Sequence, residues 1–147
     1  MRLKIMLAGL ALTLGAVGIA HGADDVIAQR QALMKDNAGA AKTIFQMVQG
    51  KTPYDAAAAQ AAFEKIAADI KKFPSLFPAG SDQGKTTASP AIWQDKAAFE
   101  ALAAKMATDA AAGAAAAPNG LDAIKASADA VGGSCQSCHE KFRIKKS

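Results

Sequence analysis

Apolar residues recur at helical spacing through nearly the whole chain, and no stretch alternates with the period of two that a half-buried strand requires. The sharpest pattern lies near the C-terminus, where Leu121, Ile124, Ala128, Val131, Cys135, Cys138 and Phe142 follow at intervals of three and four. That spacing lays one buried stripe along a helix. Far upstream, Ile27, Met34, Ala41 and Val48 recur every seven residues, flanked by Val26, Leu33, Ile44, Phe45 and Met47. They predict a helix that starts at Asp24 or Asp25 and runs to about Gln49, with Gly50 as its stop. Thr52-Pro53 is expected to open a second helix as cap and first-turn proline, with Phe63, Ile66, Ile70 and Phe73 inward and Pro74 and Pro78 ending it. Ser89-Pro90 repeats the device for a third, in which Ile92, Phe99, Met106 and Gly113 recur at seven until Pro118-Asn119-Gly120.

Two of the connections are short, while Pro74 to Ser89 is long and rich in Pro, Gly, Ser and Thr. Four helices so joined predict an all-α, antiparallel up-down-up-down four-helix bundle, the architecture that holds cofactors between facing helices. The run Ala110 to Ala117 favours helix and reads as an end that a neighbour approaches closely. Gly132 and Gly133 interrupt the last helix, where the absence of side chains suits close approach of a flat group.

The first segment belongs to processing rather than to the fold. Arg2 and Lys4 precede an apolar run from Ile5 to Ala20, and Ala20-His21-Gly22 offers the small residues a signal peptidase reads. The expected organisation is a signal peptide at 1–22 and one domain at 23–147, with no membrane attachment after cleavage. Losing Arg2 and Lys4 takes the formal charge from +4 to +2. So small a balance gives no ground for nucleic-acid binding. The basic end, Lys141, Arg143, Lys145 and Lys146, suits the negative pole of a helix dipole. No phosphate-binding glycine signature or paired nucleophile and base is present, so an enzyme is not expected.

The chemistry concentrates in Cys135-Gln136-Ser137-Cys138-His139, which holds both cysteines of the chain. Cys-x-x-Cys-His is the spacing of covalent c-type haem attachment: two thiols add across the vinyl groups, and the adjacent imidazole takes an axial position on iron. A thioredoxin-like motif needs a βαβ setting, and a structural zinc site needs four ligands. A plain disulfide would leave His139 without a purpose. Export agrees with haem c, one per chain and covalently bound, in the periplasm, because attachment is made outside the cytoplasm.

The opposite face of the iron decides the function. A sixth protein ligand makes an electron carrier, and an open position makes a gas binder. His21 departs with the signal peptide, leaving Met34, Met47 and Met106 as soft donors. At 1.5 Å per residue, His139 stands roughly 12 Å from its end of the bundle, Met34 roughly 15 Å, Met106 near 24 Å and Met47 about 35 Å. Met34 therefore matches His139 in height, while Met47 and Met106 read as core filling. Met34 either ligates iron or packs. Arg30, one turn earlier on the same stripe, either pairs with a haem propionate or reaches solvent.

Arg30-Gln31-x-x-Met34-Lys35, Pro90-Ala91-Ile92-Trp93 and the motif from Gly133 to Arg143 together resemble the cytochrome c′ family over essentially the whole mature chain. Typical members carry a non-ligating apolar residue where this chain has Met34. The resemblance therefore implies the low-spin, methionine-ligated branch called cytochrome c-556, with His139 and Met34 as axial ligands. It also implies Arg30 near the propionates and Arg143 near the proximal histidine, and a monomer or weak homodimer serving redox-partner proteins. The alternative it leaves open is a five-coordinate protein that binds nitric oxide or carbon monoxide.

Overall fold

The structure, a computed structural model, describes residues 18–144. Most of the expected signal peptide thus lies outside the described residues. Four long helices form an antiparallel bundle: α1 (Gly18–Val48), α2 (Ala56–Lys72), α4 (Lys96–Ala116) and α5 (Leu121–Phe142), with a one-turn α3 (Ala91–Gln94) before α4. No strand occurs among the described residues, and none of their helices is long and apolar enough to cross a membrane.

Each boundary follows from local chemistry. α1 begins six residues before Asp24 and runs through it, so neither Asp24 nor Asp25 caps the helix. It stops at Gly50, whose φ of +68° only glycine adopts without strain, and the Gly50 amide returns to the Met47 carbonyl at 3.0 Å. The cap of α2 is Asp55 rather than Thr52: its carboxylate accepts from the Ala58 amide at 3.0 Å. The third segment is two helices, not one. Ser89 Oγ accepts from Ala91 N at 3.2 Å and starts α3, but Asp95 leaves helical geometry and caps α4 through the Ala98 amide at 3.2 Å.

α2 packs against α1 and α4, and α4 packs along α5, while α1 touches α5 much more sparsely. Small residues allow the tight contacts. A Cβ on Gly113 would sit 2.5 Å from the Phe63 ring, so the glycine is what lets α4 lie on α2 there. Gly132 has a different role from the one expected: a Cβ there would meet Phe45 of α1 at 3.2 Å, while at Gly133 it would meet nothing within 4 Å. The first glycine seats α1, and the second faces open space.

The apolar interior divides into two clusters. The larger runs along the bundle through Ile44, Phe63, Ile66, Met106, Ile124 and Val131. The smaller closes one end with Ile92, Phe77, Phe99 and Phe142, and the Phe99 ring meets those of Phe77 and Phe142 edge to face at centroid distances of 4.9 and 5.3 Å.

Candidate functional site

A cavity of about 530 Å³ lies between the two apolar clusters, where α1 and α5 part. From α1 its wall takes Ile27, Arg30, Met34, Asn37 and Ala41, spaced three, four, three and four, so one face of that helix is given to the cavity. From α5 it takes Ser134, Cys135, Cys138, His139 and Phe142. The half-buried Cys135 packs on the larger cluster and the half-buried Cys138 on the smaller, so the motif spans the cavity's edge. The volume falls within the roughly 300–1,000 Å³ of small-molecule and cofactor pockets.

The end of α5 is tied down. Just past His139, Ser89 N donates to the Phe142 carbonyl at 3.0 Å and Ile144 N donates to the Thr87 carbonyl at 2.8 Å, so the long connection pairs with the residues that follow the motif. Lys141 Nζ reaches Asp95 Oδ2 at 2.8 Å, linking the C-terminus of α5 to the cap of α4.

Both thiols are free, and burial pushes each above its ordinary pKa, Cys138 further assisted by the neighbouring Cys135. Redox-active Cys-x-x-Cys pairs need the opposite shift. His139 lies at the cavity's exposed edge and is drawn below its ordinary pKa, first by partial desolvation and then by the nearby Arg143 charge, which favours the neutral imidazole that binds metals.

Arg30 does not reach solvent. It is 5% exposed, and its Nε donates to the Leu76 carbonyl at 2.7 Å, Nη1 to the Ser81 carbonyl at 2.9 Å and Nη2 to Ser81 Oγ. The guanidinium also lies 4.1 Å from the centroid of the Phe77 ring. Three of its five N–H groups hold the long connection, and two remain for another acceptor.

Met34 is half-buried on the wall that α1 contributes, and Met47 is buried away from the cavity. Met106, expected higher in the bundle, also lines the cavity. Heights counted from the expected helix starts do not separate Met106 from Met34, because neither start holds: α1 begins at Gly18 and α4 at Lys96. Asn37 and Ser134, both buried polar residues on the wall, went unnoticed in the sequence. The three-four spacing from Ile27 through Arg30 and Met34 to Asn37 was the available signal.

A cavity of this volume, largely apolar and carrying two thiols, an imidazole and two thioethers on its walls, fits a haem by the chemistry of its donors. The family model described as Cytochrome C' matches residues 25–143. The chain belongs to the cytochrome c′ family. It is 43% identical over the full length of both chains to cytochrome c′ of Rhodopseudomonas palustris, and 35% identical over 99% of each to cytochrome c-556 of Agrobacterium fabrum. The solved structure of Rhodopseudomonas palustris cytochrome c′ superposes with a TM-score of 0.79 at 45% identity, covering 84% of this chain and 98% of that one. A nitric oxide complex of a cytochrome c prime variant from Alcaligenes xylosoxidans superposes with a TM-score of 0.76 at 30% identity, covering 84% and 97%. As a member of the cytochrome c′ and c-556 family, the chain is a helical-bundle, electron-carrying protein with covalently bound haem c.

Proposed function

We propose that this cytochrome is a low-spin, monohaem carrier of single electrons between redox-partner proteins in the periplasm, released from a signal peptide at 1–22, and not an enzyme. Cys135 and Cys138 form the thioethers, and His139 and Met34 are the axial ligands. The observation that carries the reading is that Met34 of α1 and the neutral-leaning His139 of α5 line one cavity. A thioether ligand favours ferrous over ferric iron and raises the potential, which suits a carrier. The two N–H groups of Arg30 not bound to Leu76 or Ser81 are suited to a propionate.

Met106, which lines the same cavity from α4, is the internal control. Oxidised and reduced spectra of the wild type, Met34→Ala and Met106→Leu decide the matter. Split α and β bands in the reduced wild type and a weak far-red sulfur-to-iron band when oxidised should vanish in Met34→Ala and persist in Met106→Leu. The second reading, a five-coordinate protein for nitric oxide or carbon monoxide, draws on the relatives named cytochrome c′ and on the nitric oxide complex among them. Broad high-spin bands indifferent to both substitutions would establish it instead.

A further inference from the structure

Residues 18–144 hold all 13 acidic side chains of the chain and as many basic ones, since Arg2, Lys4, Lys145 and Lys146 lie outside them. That balance breaks at the cavity. Its charged lining is Arg30, Lys35 and Arg143, which are cations, and no carboxylate joins them. Arg30 is buried, but Lys35 and Arg143 are exposed, and with the exposed Gln31, Ala38 and His139 they mark where the cavity opens between α1 and α5.

A further cation reaches this mouth through the long connection. The exposed Lys85 precedes Thr86 and Thr87 of the cavity wall, and its carbonyl accepts from Gln31 Nε2 of α1 at 2.8 Å. On the other side Ile144 N donates to the Thr87 carbonyl at 2.8 Å, and Ala88 bridges to Arg143. Lys35, Lys85 and Arg143 thus stand on three segments bonded into one frame. Among the described residues Lys65, Lys96, Lys105, Lys125 and Lys141 each pair with a carboxylate, whereas these three do not. The carboxylates near them in sequence serve other groups: Asp36 pairs with Lys65 at 3.3 Å, and Glu140 accepts from Gln136 Nε2 at 2.9 Å. Ile144, next to Arg143, is 50% exposed, the one large apolar side chain so exposed among the described residues. An apolar contact beside a polar, charged rim is the anatomy of a protein interface.

We propose that this mouth is the docking surface for a redox-partner protein that presents carboxylates around an apolar spot. The inference rests on haem in the cavity and on the carrier reading, and it names the chemistry of the partner. Two ionised propionates can offset only two of the four cations, and ferric iron adds positive charge, so the surface keeps its sign in both redox states and steers an acidic partner in each. An anionic membrane is the poorer fit, because it is bound by a broad apolar face with cations along it, and here cations frame an opening with one exposed apolar residue.

The test is the second-order rate at which ferric holoprotein is reduced by an acidic protein probe, flavodoxin hydroquinone, beside a neutral one, reduced lumiflavin. The flavodoxin rate should fall roughly tenfold as ionic strength rises from about 0.01 to about 0.5 M and screening shortens the reach of charge. Lys35→Glu/Lys85→Glu should lower the low-salt rate by roughly tenfold or more. Lys51→Glu/Lys125→Glu, the same change of net charge at the far end of the bundle, should alter it less than about twofold. Ile144→Ser should slow flavodoxin at high salt as well, and lumiflavin should reduce every variant at the wild-type rate. Equal effects of the two double variants, a rate indifferent to salt, or an Ile144→Ser protein like wild type overturns the surface. Binding to phosphatidylglycerol vesicles that Lys35→Glu/Lys85→Glu abolishes while the flavodoxin rate stays unchanged would assign the cations to a membrane and overturn it too. Failure of the carrier reading shows separately, in the spectra of the wild type and Met34→Ala.

Discussion

Arg30 sits on a stripe that otherwise reads as core, and its partners explain how a cation is tolerated there. The Leu76 carbonyl, the Ser81 carbonyl and Ser81 Oγ take three donors, and the Phe77 ring covers one face of the guanidinium. Burial lowers its pKa from the ordinary value, but a guanidinium stays charged in any case. Arg30→Leu removes charge-assisted bonds and strands two buried carbonyls, for an expected loss of about 3 kcal/mol. Arg30→Lys should recover little, because an ammonium cannot meet several acceptors arranged in one plane. Chemical denaturation of the holoproteins checks both, and an Arg30→Leu protein within about 0.5 kcal/mol of wild type would reduce the clamp to an incidental contact. The position of Arg30 was legible from the sequence, since it falls on the stripe. Its partners were not, because they lie 46 and 51 residues away and only the closed bundle brings them near.

Among the elements, periodicity identified all four long helices and failed mainly at their ends. Thr52-Pro53 and Ser89-Pro90 carried the stronger start signals, yet Asp55 and Asp95 cap α2 and α4. With the α1 and α4 starts each six residues from where they were expected, heights counted from them could not rank the methionines, and the second thioether on the cavity wall, Met106, stayed hidden. Glycines likewise showed that something approaches, but not what. Gly113 and Gly133 look alike in sequence, whereas a Cβ would strike the Phe63 ring at the first and meet open space at the second. Gly113→Ala should therefore destabilise by about 1–3 kcal/mol through overpacking between α2 and α4. Gly133→Ala should stabilise by up to about 1 kcal/mol, as alanine does within a helix. Thermal melts of the two holoproteins provide the comparison. Destabilisation by Gly133→Ala would mean that haem, after all, comes against that backbone.

At the scale of the whole molecule, the cavity explains why α1 and α5 barely meet. Arg30, Met34 and Asn37 on one side and Cys135, Cys138 and His139 on the other are held apart, with the end cluster of Phe77, Phe99 and Phe142 below and Ile66, Ile70 and Met106 beyond. The sequence revealed both stripes but not the space between them, because periodicity tells which face is buried and not against what. The cavity is open on one side, so without haem its largely apolar wall would stand against water, which disfavours this shape. The haem-free chain is therefore expected to loosen where the cavity lies, with α1 and the end of α5 collapsing together or fraying, while α2 and α4, locked through Phe63 and Gly113, have no such reason to separate. Cys135→Ser/Cys138→Ser protein made without haem should show lower helix content by circular dichroism and a broad, low melting transition. Hydrogen exchange should be fast along α1 and in the Cys135 to Phe142 turns, and slowest in α2 and α4. Equal melting temperatures with and without haem would mean that the bundle closes on itself and that the cofactor enters a site already formed.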